Sequence, residues 1–414
     1  MTPTDLGDSN LTIDQLDILN LKYRNKGLEI KNIYSLTPMQ MGMLFHALKD
    51  KESSSYFEQS ILTLKGEIDL NTFERSFNKV IERYDILRTV FVYENVDKPK
   101  QIVFKERKTK ISYEDISQLS NESKESYIEN FISKDKEKGF SLEKDLLIRM
   151  SILKVEKDKY EVVWSFHHIL MDGWCLNIIM NDFFNIYSQL QEEKSIEIPK
   201  VTPYIEYIKW LEDRKKLNNE GEEYWRSYLS CYEDVAGIPI STKRHKEEKY
   251  ELKELKFAIN KEKTKKLERI VKTEQVTMNT IIQAVWGILL QRYNNIDDVV
   301  FGTVVSGRNA DIEGIDRMVG LFINTIPVRI KTESGMSFVE LIKEIQKSSL
   351  ESSKYDYYPL AEIQSKTKLK NELINNIVVY ENYYIDNSSI NLNEKINKKF
   401  IMENMKVEKK LIMI

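Results

Sequence analysis

The sequence predicts a mixed α/β (α+β) protein of two similar-sized lobes. Segments with strand-like and helix-like periodicity alternate through both halves of the chain. The length, 414 residues, exceeds the roughly 250–300 residues at which one hydrophobic core stops growing. A charged, polar stretch at 232–250 then reads as a crossing between the halves.

Residues 1–30 are polar and predict a linker with a short helix, from the spacing of Leu11, Ile13, Leu16, Ile18 and Leu19. Thr37 before Pro38 marks a helix start, a cap followed by proline at the first helical position. Met39, Met43, Leu44 and Ala47 form its apolar stripe. A strand at 57–65, an amphipathic helix at 70–84 with Phe73, Phe77, Val80 and Ile81 on one face, and a strand at 86–93 follow. Two more strands are predicted at 146–155 and 160–168, the second rich in β-branched and aromatic residues. After a loop at Met171-Asp172-Gly173 come a helix from about 174 to 190 and a lysine- and glutamate-rich helical stretch at 204–230.

Beyond the crossing, the pattern predicts a strand at 251–259, helix over most of 264–293 and a strand at 299–305 ending at Ser306-Gly307-Arg308. A strand at 321–330, a helix at 337–353 and a late strand at 374–381 complete the reading. The domain bounds are a linker at 1–30, an N-terminal lobe at 31–195, an inter-lobe segment at 196–250 and a C-terminal lobe at 251–414.

Hydrophobic residues make up 41% and charged residues 31%, the balance of a globular protein. Lys and Arg total 62 against 65 Asp and Glu, so no basic excess suggests nucleic acid as a partner. The two cysteines, Cys175 and Cys231, form no Cys-x-x-Cys pair, which argues against a zinc site or redox dithiol and fits a reducing cytoplasm. The polar, acidic start lacks the layout of a signal peptide, and no apolar run is long enough for a bilayer span, so no membrane partner is expected.

Of four histidines, His167 and His168 are adjacent at the end of a hydrophobic strand. Neighbouring strand residues point to opposite faces, so on a regular strand one is structural and the other is available for chemistry. Asp172 lies four residues after His168, beside Gly173, which permits a tight turn. Spacing alone leaves open a buried strand end with satisfied polar side chains, a metal site and a base for a nucleophile. Diverging histidines weaken the metal reading. No Gly-x-Ser-x-Gly elbow or phosphate-binding glycine loop is present, and Ser165 shares the histidine strand.

The segment from His167 to Gly173 matches His-His-x-x-x-Asp-Gly and resembles the signature of condensation domains of nonribosomal peptide synthetases, in the chloramphenicol-acetyltransferase-like superfamily. Other motifs of that family follow in order over roughly 350 residues. Leu36-Thr37-Pro38-Met39-Gln40 with Gly42-Met43-Leu44-Phe45-His46 resembles the first, and Arg83 to Phe91 the second, with Tyr84 where His is common. Tyr204 to Trp210 resembles the fourth, Val319 to Thr325 with Arg329 the fifth, Tyr357-Tyr358-Pro359-Leu360 the sixth, and Val378 to Asn382 part of the last.

The resemblance implies two chloramphenicol-acetyltransferase-like lobes in a V-shaped pseudo-dimer with a central tunnel. Two phosphopantetheine arms enter it, one with a donor aminoacyl or peptidyl thioester, the other with an acceptor aminoacyl thioester. The partners implied are an upstream donor and a downstream acceptor peptidyl carrier domain and an adjacent adenylation domain, in the making of peptide antibiotics. No cofactor is expected on the domain itself. His168 is implied as the catalytic residue, with His167 packing beside it and the Gly173 N–H offered to an oxyanion or substrate. Asp172 is implied to pair with an arginine, Arg308 being the candidate, and so to tie the lobes together. Arg88, Asn324 and Ser306 are expected near the tunnel, and Trp174 is expected to pack in the core rather than to touch substrate.

The first motif resembles domains that join an L-configured donor to an L-configured acceptor. Epimerisation domains share the double histidine and remain an alternative, as does a non-catalytic docking domain of the same fold or a free-standing acyltransferase. The stretch Thr2 to Asp8 resembles the segment between a carrier domain and a condensation domain. After Glu381-Asn382 the family continues through further strands, so the C-terminal lobe is expected to be truncated.

Overall fold

The structure is a computed structural model that describes residues 2–6, 11–49, 56–217, 219–238, 255–381 and 400–408. The chain forms two compact units. The first holds the described residues of Met1–Lys216, Ala310–Phe322 and Asn382–Ile412, and the second those of Leu217–Asn309 and Ile323–Glu381. These bounds differ from the sequence reading, because the strap Ala310–Phe322 and a strand at Phe400–Glu408 join the first unit although both lie in the stretch assigned to the C-terminal lobe.

The first unit runs α1 (Ile13–Arg24), β1 (Ile30–Ser35), α2 (Pro38–Lys49), β2 (Phe57–Gly66), α3 (Leu70–Arg83), β3 (Thr89–Val92), β4 (Lys100–Phe104), β5 (Ser112–Asp115), α4 (Asn121–Lys138), β6 (Ile148–Glu156), β7 (Lys159–His167), α5 (Gly173–Gln191) and α6 (Ile205–Leu217). Thr12 and Gln15 close a reciprocal capping box at the start of α1. Leu16, Leu19 and Tyr23 of α1 share a core with Leu6, Leu11, Ile33, Val90, Val92, Ile102 and Phe104. The segment read as a linker therefore packs on the antiparallel sheet β1-β4-β3.

Among the described residues the larger sheet has five strands, in the order Phe400–Glu408, β2, β7, β6, β5. All its pairs are antiparallel except β5 with β6. The apolar face of α3 reaches this sheet as expected: Phe73, Phe77, Val80 and Ile81 are all buried. Phe77 meets Trp164 edge-on at 5.3 Å and Phe73 meets Phe183 of α5 at 4.7 Å.

Helix α4 and strands β4 and β5 occupy a stretch that carries no clear periodic signal. Helix α4 buries none of its side chains fully, although Ile128 and Phe131 pack against Ile116, Leu153 and Val155. Polar contacts fasten it as well. Asp135 of α4 accepts from Arg149 Nε at 2.6 Å, Ser165 Oγ at 2.6 Å and Gln59 Nε2 at 2.9 Å.

The second unit contains α7 (Glu220–Tyr228), α8 (Lys261–Glu274), α9 (Met278–Asn294), β8 (Asp298–Val305), β9 (Asn324–Lys331), α10 (Phe338–Ser352), α11 (Leu360–Ser365) and β10 (Ile377–Val378). Its sheet runs β10-β8-β9, parallel then antiparallel. The helix expected over 264–293 is two, broken where Gln275 turns left-handed (φ 57°) and Thr277 caps the next start. The stretch 204–230 also divides, into α6 and α7. The late strand shrinks to two residues. The strand expected at 251–259 is not found: 251–254 lie outside the described residues, and 255–259 are non-regular, with Leu255 87% and Phe257 82% exposed.

Candidate active site at the histidine turn

Strand β7 is paired on both sides, and this fixes where its last residue points. His167 stands opposite Phe57 of β2, and its N–H donates to the Leu147 carbonyl at 3.0 Å. The ladder then gives way to a turn. The His168 N–H donates to the Tyr56 carbonyl at 2.7 Å, and Tyr56 holds a left-handed backbone (φ 64°) there. The Met171 N–H returns to the His168 carbonyl at 3.2 Å. Ile169, Leu170 and Met171 are fully buried, so the turn is packed rather than a free loop. The two histidines part because the strand ends between them: His167 is buried in the ladder, while His168 is half-buried in the turn.

The Nδ1 of His167 accepts from the Ile169 N–H at 3.1 Å, which leaves the ring proton on Nε2. Burial, with a smaller push from His168, lowers its pKa from 6.5 to about 3. A base depressed in the folded state contributes stability above its unfolded pKa and loses it as pH falls. Stability should therefore fall by about 1.4 kcal/mol per pH unit between about pH 6 and the folded value. His167→Asn should flatten that slope in urea titrations at pH 4, 5 and 6.

Asp172 caps α5. Its Oδ1 accepts from the Trp174 N–H at 3.1 Å and lies 3.4 Å from the Cys175 thiol. Its Oδ2 accepts from the Phe322 N–H at 3.1 Å, and its own N–H faces the Gly320 carbonyl at 3.4 Å. The Cys175 thiol also reaches the Gly320 carbonyl at 3.2 Å. Helix start and strap are thus one hydrogen-bonded assembly. Tyr204 completes it by donating to the Leu321 carbonyl, and Thr202 by donating to the Glu313 carbonyl at 2.8 Å.

The strap fits only with glycine at 320. A Cβ there would stand 2.1 Å from Cδ2 of Tyr204. Gly320→Ala should destabilise the protein by about 3 kcal/mol through overpacking, and combining it with Tyr204→Ala should return part of the lost melting temperature.

Gly173 opens α5, with its N–H in the first helical turn beside the histidine turn. Trp174 departs from the expectation of core packing. It is 40% exposed, and its Nε1 donates to the Asp316 carbonyl of the strap at 3.0 Å, while Cys175 and Leu176 of the same turn are the buried ones. Arg88 is buried, and its guanidinium donates to the carbonyls of Phe104 (2.8 Å), Ile81 (3.1 Å) and Glu82 and to Asp85, so it ties the end of α3 to β4.

In the second unit Asn324 donates to the carbonyls of Asp356 (2.7 Å) and Tyr358 (2.9 Å) and accepts from the Thr325 N–H at 2.9 Å, which makes it a clamp on the Tyr357-Tyr358-Pro359 motif. Ser306 is exposed, and its Oγ lies 3.5 Å from the N–H of half-buried Arg308.

Sequence reasoning gave no site role to Tyr56, Gln101 and Cys175 around the turn, and it held Gln40 only as part of the first motif. The role of each depends on partners brought near only by the fold. Among the described residues no set of His, Cys, Asp and Glu is arranged to hold a metal ion, and no helix is long and apolar enough to cross a membrane.

A family model for condensation domains matches residues 30–411. The chain is 43% identical over 385 residues to bacitracin synthase 3 of Bacillus licheniformis, which covers 93% of this chain and 6% of that protein. It is 45% identical over 354 residues to gramicidin S synthase 2 of Brevibacillus brevis, covering 86% of this chain and 8% of that protein. The chain thus spans less than about a tenth of either synthase. In structure it resembles a four-domain nonribosomal peptide synthetase crystallised in its holo form with AMP and glycine, with a TM-score of 0.71 at 17% identity over 87% of this chain and 27% of that one. It also resembles the starter condensation domain of rhizomide synthetase, with a TM-score of 0.66 at 18% identity over 84% of this chain and 78% of that one. At these identities the structural likeness is one of fold.

Proposed function

The chain belongs to the condensation-domain family, and from that premise we propose that it forms an amide bond between a donor aminoacyl or peptidyl thioester and the amine of an acceptor aminoacyl thioester. Both substrates arrive on phosphopantetheine arms of partner carrier domains, with an adenylation domain supplying the activated amino acid, in the cytoplasm. The acceptor nitrogen attacks the donor thioester carbon. The carbon–sulfur bond then breaks, the donor thiol leaves with a proton, and the lengthened chain remains on the acceptor carrier.

The observation that carries this reading is the fixed, half-buried position of His168 between a terminated ladder and a capped helix start. Its imidazole accepts a proton from, or hydrogen-bonds to, the attacking amine. An α-amino group has a pKa of about 7.7–8.0, so part of it is already neutral near pH 7 and the demand on the base is modest. Positioning accounts for more of the rate than proton transfer does. The Gly173 N–H, at the positive end of a 19-residue helix, is suited to developing negative charge. The first motif favours an L-configured donor and an L-configured acceptor.

The test incubates the chain with a donor-loaded carrier alone and then with an acceptor-loaded carrier as well. Retained configuration at the donor α-carbon and an elongated acceptor product support condensation. Inverted donor configuration without elongation would mean epimerisation, and no reaction in either arm would mean a docking role.

A further inference from the structure

We propose that Gln40 is a positioning residue for the condensation step, holding the carbonyl of Ile169 and through it the placement of His168. The proposal rests on the role given to His168 above.

Gln40 sits in the first turn of α2, on the buried side together with Met43 and Leu44, and is fully buried. A fully buried primary amide costs free energy unless its donors and acceptors are met. Its Oε1 accepts from the Thr37 N–H at 3.0 Å and from Gln101 Nε2 at 2.8 Å. Its Nε2 donates to the Ile169 carbonyl at 3.2 Å and faces Gln101 Oε1 at 3.4 Å. Gln101, on β4 and also fully buried, donates onward to the Ser35 carbonyl at 2.8 Å. The two glutamines therefore form a reciprocal amide pair anchored in α2, β1 and β4.

One donor of that pair is spent on the residue that follows His168. The Ile169 N–H is already taken by His167 Nδ1, so both polar groups of Ile169 are gripped, one from β7 and one from α2. The His168 N–H is gripped separately by Tyr56. The backbone around His168 is thereby fixed before and after the ring. An error of about 1 Å in such a placement can cost on the order of a hundredfold in rate. A purely structural role for the pair would affect stability and leave the imidazole where it is.

The experiment uses the full chain with loaded carriers and two variants. Gln40→Met removes the grip on Ile169. Gln40→Met/Gln101→Met removes both amides, so that neither is stranded against the other, and is expected to recover part of any stability lost by the single variant. Each is measured for melting temperature, kcat, KM and the imidazole NMR signals of His168 in labelled protein. The expected result is a roughly ten- to hundredfold drop in kcat, KM within about twofold, and shifted His168 signals in both variants, whatever their melting temperatures. Wild-type kcat and unmoved His168 signals in the folded double variant would overturn the proposal. Should His168→Ala condense normally while Gln40→Met still moves the imidazole signals, the role of His168 falls and the positioning contact stands.

Discussion

Replacing His168 by alanine should leave a folded protein whose condensation rate is lower by about a hundredfold or more, within the range of roughly 10²–10⁴ for a lost proton-transfer group. Folding should survive because the turn is held by its backbone. The His168 N–H reaches the Tyr56 carbonyl, and the His168 carbonyl receives the Met171 N–H, contacts that alanine keeps. The ring is also half-buried, so its loss does not open the core as the loss of a neighbouring Ile169 or Met171 side chain would. Because the acceptor amine titrates near neutrality, raising the pH from 7 to 9 should speed both proteins, and the deficit should persist if placement is what the ring supplies. A deficit that vanishes at high pH would assign the ring a proton-transfer role alone. Near-normal rates across several acceptors would remove it from the chemistry.

Asp172→Ala should damage the fold as well as the activity. The carboxylate caps α5 through the Trp174 N–H and holds the strap through the Phe322 N–H, and it is 2% exposed. Loss of a cap costs about 1 kcal/mol, and each buried N–H left without an acceptor about 1–3 kcal/mol. A total near 3 kcal/mol is a large part of an ordinary stability of about 5–15 kcal/mol. Soluble yield, melting temperature and rate should all fall together. Asp172→Asn, which keeps an oxygen for the helix cap but turns an amide toward the Phe322 N–H, should lose less stability. A stable, folded but inactive Asp172→Ala protein would show that the carboxylate acts in the chemistry rather than on the strap.

The local parts of this site are legible in the sequence, and the long-range parts are not. The helix beginning at Pro38, the amphipathic α3 and the strand ending at the histidines all follow from short-range pattern and emerge nearly where expected. The strap does not. Leu321 and Phe322 continue the apolar run of β9 and read as its first residues, yet both are buried in the first unit, drawn there by Tyr204, Asp172 and Cys175 more than a hundred residues earlier.

Helix α2 shows the same limit at single-residue scale. Its expected stripe included Met39, whereas the side chain fully buried beside it is Gln40, a polar residue that sits inside because Gln101, Thr37 and Ile169 meet its amide. Alternation at Leu255, Phe257 and Ile259 reads as a strand, but no strand among the described residues pairs with that segment. Period alone cannot supply a partner.

Condensation is tested by the intact mass of the acceptor carrier after a single turnover with the chain and a donor-loaded carrier. The acceptor carrier should gain the mass of the donor acyl group, and cleavage of its thioester should release the donor acyl group and the acceptor residue as one amide-linked product, while the donor carrier returns to its free thiol form. An acceptor mass unchanged from the loaded starting form, with both carriers intact and the chain folded, would contradict it.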